Sequence, residues 1–533
     1  MTQADELGPA ERLERAIAAW RADEARARRE VAARVRAGAV CRSGAAAPGA
    51  NGESATTAAW DHAELLAPLR RVARRHASTF DDRARANLEA LAASAPAPGV
   101  DPSVGGVPGA IAGHLARAAA QEKSLDALAL LYAAARKPVS KDPGARDLGV
   151  LLAAVLTASV GAQSWDAARA LEVEAAALVP RLLELRAAAD AAAAPWLKSA
   201  PPRPDLAPAG AEPLARARAL LAATDDPCRE LVAHALRLLG GGSREVPWHL
   251  AIPRLLGVVV GGSFTARGRY ARLGAGLVHC APRGALERLR VEEVGATLDP
   301  RARVTVAPGA RVLLGPDDVR ILASGSELGL AAELGAAEAL GRALALSLAS
   351  PALPVSLRLP LDHTTARAVG VAFAQLLADT AFLRRTYALS AHDAENVALA
   401  AATLVTCEAR VCAAATCARA EPPPSRVAAA GQWLRRALAR VTMPDEVAAL
   451  LSLGSAAAVA RSRARDTGLA LYVALRERFD EDWWRNPRVA EALAALGARG
   501  GALSAEAALA ELGVEPERCV EFAARRVVEL GRG

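Results

Sequence analysis

A chain of 533 residues is long enough to bury a large core, as two to four domains or as one large helical body. Hydrophobic residues make up 52% of it, which excludes a disordered chain. Aromatic residues supply only 3% and Ala and Leu dominate the rest, a balance that favours helices over strands. The net charge of +7 rests on arginine, since Lys123, Lys137, Lys141 and Lys198 are the four lysines among 65 basic residues. These arginines are interleaved with acids along the chain, as on solvated helix faces with i,i+4 ion pairs, and no nucleic-acid partner is expected.

In chain order, residues 10–38 carry an amphipathic helical pattern with Leu13, Ile17 and Trp20 on one face. The low-complexity stretch 41–58 reads as a flexible loop, helix returns from Asp61 to about Ala93, and a Pro/Gly loop occupies 94–109. Helical patterns resume from Ala110 through Trp196, interrupted near KPVSKDPG. The run Leu148–Ala162 is the most apolar, but its 15 residues fall short of the roughly 20 needed to span a bilayer, so it suits a core helix and no membrane partner is expected. The segment 199–213, with three prolines in its first six residues, is the strongest break. The expected organisation is therefore an N-terminal helical region 1–198, a linker 199–213 and a domain 214–533. Helix 214–239 ends at Gly240-Gly241-Gly242-Ser243. From 290 to 323 the chain turns Val-rich and is punctuated by Gly and Pro, which predicts a few short strands. Helices follow over Glu327–Ala349 and most of the remainder, with an extended connector at PALPVSLRLPLDH. The opening segment has no basic stretch followed by an apolar one, so a secretory signal is not expected and the cytoplasm is the expected setting. The Ala/Arg/Gly-rich, Lys-poor composition suggests a GC-rich bacterial genome.

Several site chemistries can be tested on the residues. Seven cysteines are too few and too unevenly numbered for a disulfide framework. Cys407, Cys412 and Cys417 follow one another at five-residue steps, which point the thiols to different sides of a helix, as for small buried hydrophobes. Gly274-Ala275-Gly276 lacks the third glycine of a dinucleotide fingerprint, the Gly257–Ser263 run is not followed by Gly-Lys-Ser/Thr, and Gly325-Ser326 lacks the spacing of a nucleophile elbow. The eight histidines, at 62, 76, 114, 234, 249, 279, 363 and 392, come no closer than fourteen residues. A helix-borne zinc site needs two imidazoles at i and i+4, and no such pair exists.

The second half nevertheless resembles the thimet-oligopeptidase/oligoendopeptidase-F superfamily of zinc metallopeptidases, as a degenerate member lacking H-E-x-x-H. The segment Glu338-Ala339-Leu340-Gly341-Arg342-Ala343-Leu344-Ala345 is similar to that family's H-E-x-G-H-A-L-H stretch, keeping the Gly and the Ala-Leu. Ser350-Pro351-Ala352-Leu353-Pro354 resembles its connector, Asp362–Leu377 the helix carrying the third zinc ligand, and 475–512 its last helices. The resemblance covers roughly 215–530. It implies a mainly α, two-lobed body with a small β segment near 290–323 and a central channel.

On that register Glu338 and Arg342 stand where two histidine ligands would be, Ala339 where the general base would be, and Arg367 where the third ligand would be. A guanidinium has no lone pair to give a metal, and alanine cannot deprotonate water. The resemblance then implies no zinc, no other cofactor and no catalytic residue: a pseudoenzyme whose former active-site cleft binds a peptide or protein partner. Glu338 and Arg342, at i,i+4, are spaced for an ion pair. Arg342 and Arg367, with His363 beside them, are the expected ligand-contacting residues, because an excess of guanidinium groups suits a carboxylate. Two other readings stay open, a structural or regulatory scaffold with a closed cleft, and an enzyme of unrecognised chemistry. Trp483 and Trp484 are expected to pack against helices, and Arg384-Arg385 to face solvent.

Overall fold

The structure is a computed structural model that describes residues 8–43, 62–77, 79–93, 106–135, 162–199, 211–238, 245–255, 264, 268–294, 311–315, 318–324, 329–359, 364–453 and 458–532. Much of the expected loops at 41–58 and 94–109, most of the linker 199–213, nearly all of the apolar run 148–162, and His363 lie outside those residues.

Helices dominate. The N-terminal part holds α1 (Pro9–Ser43), α2 (His62–Ala77), α3 (Asp82–Ala92), α4 (Gly106–Ala135) and α5 (Ala162–Lys198). Helix therefore runs three residues into the first expected loop and covers the last four of the second, because neither Cys41-Arg42-Ser43 nor Val107-Pro108, with proline in the first turn, breaks a helix. Leu13, Ile17 and Trp20 are buried, as their spacing predicts. They pack with Leu88, Ile111 and Leu115 on one side and Leu66, Val72 and Leu125 on the other. Between these apolar layers, Glu24 is 2% exposed and is neutralised by Arg21, Arg28 and Arg117 at 2.6–2.8 Å, which joins α1 to α4. Those three charges hold its carboxyl far below the usual range against the opposing effect of burial.

The long helix α5 passes between two cores. Trp196 near its end packs with the N-terminal helices, whereas Ala168, Leu171 and Ala175 enter a much larger core that extends to Leu530. That core is built on α6 (Ala211–Leu238), the short strand β1 (Val246–Pro247), α7 (Trp248–Leu255) and α8 (Arg269–Leu277). The Val-rich segment forms the predicted strands, β2 (Arg290–Val294), β3 (Arg311–Gly315) and β4 (Asp318–Ser324), in the order β2-β4-β3. β4 runs parallel to β2 and antiparallel to β3, with Ile321 opposite both Val291 and Val312 and fully buried.

The sheet leads into α9 (Leu330–Ser347), α10 (Val355–Arg358) and α11 (Thr364–Ala374), then α12 (Thr380–Tyr387) and the long α13 (Ala391–Ala420). Caps set the starts of the last two: Asp379 accepts from the Ala381 and Phe382 amides, and Ser390 from that of Asp393. α13 is long and apolar enough to cross a membrane, but 72% of its apolar window is buried inside the protein, so its apolar surface is already covered. The chain closes with α14 (Arg426–Leu438), β5 (Val441–Thr442), α15 (Asp445–Leu453), α16 (Ala458–Phe479), α17 (Pro487–Ala498), α18 (Ala505–Glu511) and α19 (Cys519–Arg532). β5 pairs with β1 in parallel. Trp483 and Trp484 are buried packing residues, Trp483 against Phe373 and Tyr472 and Trp484 edge-on to Phe382, while Arg384 and Arg385 are exposed.

One buried cation fastens this core. Arg410 of α13 is 1% exposed and donates to the carbonyls of Leu221, Arg436 and Ala437, to the Thr224 hydroxyl and to the Asp225 carboxylate, at 2.6–3.0 Å. The Arg436 and Ala437 carbonyls belong to the last turn of α14, where a helix lacks internal donors and favours a cation. Arg410→Met removes every one of these bonds and leaves Asp225 short of one partner. It is expected to lower unfolding stability by about 3–5 kcal/mol in urea melts, and a loss below about 1 kcal/mol would contradict this role.

Candidate functional site

The residues singled out around 338–367 lie on α9 and α11, and the two helices touch. A Cβ built on Gly341 would lie 3.0 Å from the Cα of Gly370 and 2.9 Å from the Phe373 ring. One built on Gly370 would strike the Glu338 carbonyl and lie 3.0 Å from Glu338 Cγ. Only glycine at both positions allows this approach, since real Cβ atoms do not come so near backbone. α16 presses on the same helix, with Gly468 meeting the Ala368 carbonyl and Val371. α9 and α11 are apolar nearly all round, as helices sunk in a core must be.

The position of each expected site residue follows from this packing. Ala339 is 4% exposed and part of the large core. Arg342, one turn beyond Glu338 on α9, and Arg367, one turn before Gly370 on α11, are half-buried, and neither is without a partner. Glu338 reaches across to α16, where Nη2 of Arg465 donates to its carboxylate at 2.7 Å. The same Nη2 lies 2.9 Å from the carboxylate of Glu408 on α13. One guanidinium thus joins acids from two helices, with its own helix as the third.

These groups lie where α9, α13 and α16 come together. The Glu408 side chain is 43% exposed, yet desolvation is the largest influence on its carboxyl and raises it above the usual range, with the Glu338 charge adding to the rise and Arg465 and Arg461 opposing it. Cys412, one turn further along α13 and half-buried, shows the same effect, its thiol raised by desolvation against the charges of Arg465 and Arg461. Arg461, one turn before Arg465, is exposed. Cys407 and Cys417, by contrast, are buried hydrophobes, in line with their spacing.

Arg465, Glu408 and Arg461 are not singled out by the sequence, and Cys412 is read there only as a small buried hydrophobe, whereas it is half-buried. Their spacing, Glu408 to Cys412 and Arg461 to Arg465 at i,i+4, marks each pair as one helix face, but only the fold brings these faces to Glu338.

The donors here do not suit zinc. Glu338 and Glu408 already share a guanidinium, the adjacent groups are further guanidiniums, and among the described residues no three His, Cys, Asp or Glu side chains converge in a way that could hold a metal ion.

A large helical body with a small sheet feeding a helix pair at its centre is the fold of a class of metallopeptidases. Structures of that class match nearly the whole chain. The M32 carboxypeptidase from Deinococcus radiodurans R1 is 12% identical and superposes with a TM-score of 0.56 over 98% of this chain and 100% of its own. The X-ray structure of a protein assigned as oligoendopeptidase F is 11% identical, with a TM-score of 0.56 over 95% of this chain and 96% of its own. No family model and no curated protein matches the chain. The chain therefore has the helical metallopeptidase-like fold of oligoendopeptidase F and M32 carboxypeptidase, as the resemblance over 215–530 implies.

Two predictions follow from the packing and the electrostatics. Gly370→Val places side-chain carbon against the Glu338 carbonyl and is expected to cost about 1–3 kcal/mol in thermal or urea melts. Gly274→Ala, with nothing within 4 Å of the new Cβ in α8, should change stability by less than about 1 kcal/mol, upward if at all. Because the fold raises the Glu408 carboxyl, the folded state binds its proton more readily than the unfolded state. Stability therefore rises as pH falls through its folded titration range, above the ordinary glutamate value. Melting midpoints of the wild type measured against Glu408→Gln should show that relative gain on acidification, and a relative loss would contradict it.

Proposed function

We propose that this chain is a catalytically inactive, metallopeptidase-like protein that holds a peptide or protein partner in a recess between α9, α13 and α16. The observation that carries this reading is the sharing of Arg465 between Glu338 and Glu408, with a buried Ala339 beside Glu338. Hydrolysis of the peptidase kind needs a polarising metal and a base to take a proton from water. The side chains in this register supply neither a metal-binding donor set nor a base. They do supply hydrogen-bond donors: Arg342 and Arg367 on the two touching helices, and Arg461 at the solvent edge. Forked guanidinium donors match the geometry of a carboxylate, such as a peptide C-terminus or an acidic side chain. Glu408, open to solvent, keeps the recess polar.

The same salt bridge gives a specific reason for a second reading. Glu338 and Arg465 satisfy one another, and a scaffold whose cleft is closed by ion pairs would look like this along α9. Binding separates the two readings. With the full-length protein and fluorescently labelled peptides that carry either a free or an amidated C-terminus, the free-carboxylate forms are expected to bind more tightly. Arg342→Met/Arg367→Met should weaken that binding by at least about tenfold, a difference of about 1.4 kcal/mol, while leaving the fold intact by circular dichroism. Equal affinity before and after the double substitution would favour the scaffold. In parallel, metal analysis of the purified protein is expected to find well under one zinc per chain, and the peptides should stay uncleaved. Stoichiometric zinc with cleavage would overturn both readings.

A further inference from the structure

The mismatch between this donor set and a metal ion has its own structural resolution. Two carboxylates from different helices, Glu338 of α9 and Glu408 of α13, accept from one atom, Nη2 of Arg465, at 2.7 and 2.9 Å. An ion held between acids of separate helices is how a bound metal ties helices together inside a bundle. A guanidinium differs from a metal in that it is covalently tethered, here to a third helix, and stays charged at any pH the protein meets. The Arg465 side chain is 14% exposed, so it is not one of the freely solvated surface ion pairs that contribute little.

We propose that Arg465 is an internal cation that has taken over the helix-tying role of a metal ion at this place, holding α9, α13 and α16 in register around the recess. Three observations meet in this inference. Both carboxylates lie within hydrogen-bond reach of one nitrogen, so without it two like charges would be left close together. Glu408 is raised by Glu338 as well as by desolvation, a sign that the two acids feel each other even with Arg465 in place. The backbone of α16 is fixed three residues further on, where Gly468 presses against α11, so Arg465 projects from an anchored turn. The charged groups that face the pair are Arg465 and the more distant, exposed Arg461, and together they balance both acids. This inference concerns what holds the walls of the recess and goes beyond the question of which ligand the recess takes.

The test uses the full chain at about pH 8, well above the ordinary glutamate pKa of about 4.3. Arg465→Met is expected to melt at least about 2 °C below the wild type. Millimolar Mn²⁺, a hard cation suited to carboxylate oxygens, should raise the midpoint of this variant and not that of the wild type. In Arg465→Met/Glu338→Gln/Glu408→Gln, where no charge is left unpaired, the midpoint should return toward the wild type and the Mn²⁺ response should vanish. An Arg465→Met midpoint equal to that of the wild type overturns the proposal. So does a destabilised Arg465→Met that gains nothing from Mn²⁺, or a triple variant that responds to Mn²⁺ as strongly as the single one. If Arg465→Met does not fold, a folded triple variant supports the charge bridge, whereas failure of the triple variant as well assigns Arg465 a packing role and overturns it.

Discussion

The close approach of α9 and α11 is the constraint on which the rest of the site depends. Gly341 and Gly370 let two backbones meet at a separation that any larger residue would forbid. With that contact made, Glu338 and Arg342 on one helix and Arg367 on the other are held on rigid, buried elements, and their positions are set by packing rather than by loop conformation. Gly468 repeats the device one helix further out and brings α16 close enough to α11 for Arg465 to reach Glu338. The small sheet and the N-terminal helices support this arrangement from outside. β4 packs Ile321 into the core that α9 enters, and Glu14 of α1 accepts from the Ser356 amide at 2.8 Å while the His114 ring meets the Ser356 carbonyl, which fixes the connector between α9 and α11.

Electrostatics acts within that frame. Charged groups inside this molecule are held by opposite charges or by carbonyls: Glu24 among three arginines, Arg410 among carbonyls and Asp225, and Asp466 and Glu506 around Arg216 and Arg463. The set at the recess differs in one respect. Its acid on α13 remains open to water. A closed core would bury such charges with full compensation or replace them by apolar residues, because a desolvated charge without a partner is costly.

The parts of the fold that were legible in the sequence are those governed by local physics. The Ala/Leu balance foretells helices, Val spacing between 290 and 323 foretells the three strands, and Leu13, Ile17 and Trp20 foretell the buried face of α1. Even the contact of α9 with α11 is foreshadowed by Gly341 in a segment that otherwise follows a known family pattern. The helix ends are less legible, since the boundaries near Ser43 and Gly106 depend on residues that helices tolerate as well as loops do. The partner of Glu338 is the clearest omission. Its i,i+4 spacing to Arg342 suggests an ion pair along α9, but Arg465 lies 127 positions away and is one of many arginines with no mark of its own. Local spacing offers a partner; only tertiary packing decides between partners.

The choice of an ion bridge at the centre of this body, rather than an apolar plug, follows from what each would do to the space. Filling the gap with large apolar side chains would bring α9, α13 and α16 into direct contact, and burial at about 25 cal/mol per Å² would favour closing the recess altogether. A guanidinium between two carboxylates contributes less to stability than such a core and requires specific geometry. It keeps three helices at a set distance, because the nitrogen must stay within hydrogen-bond reach of both acids, and it leaves polar groups facing water.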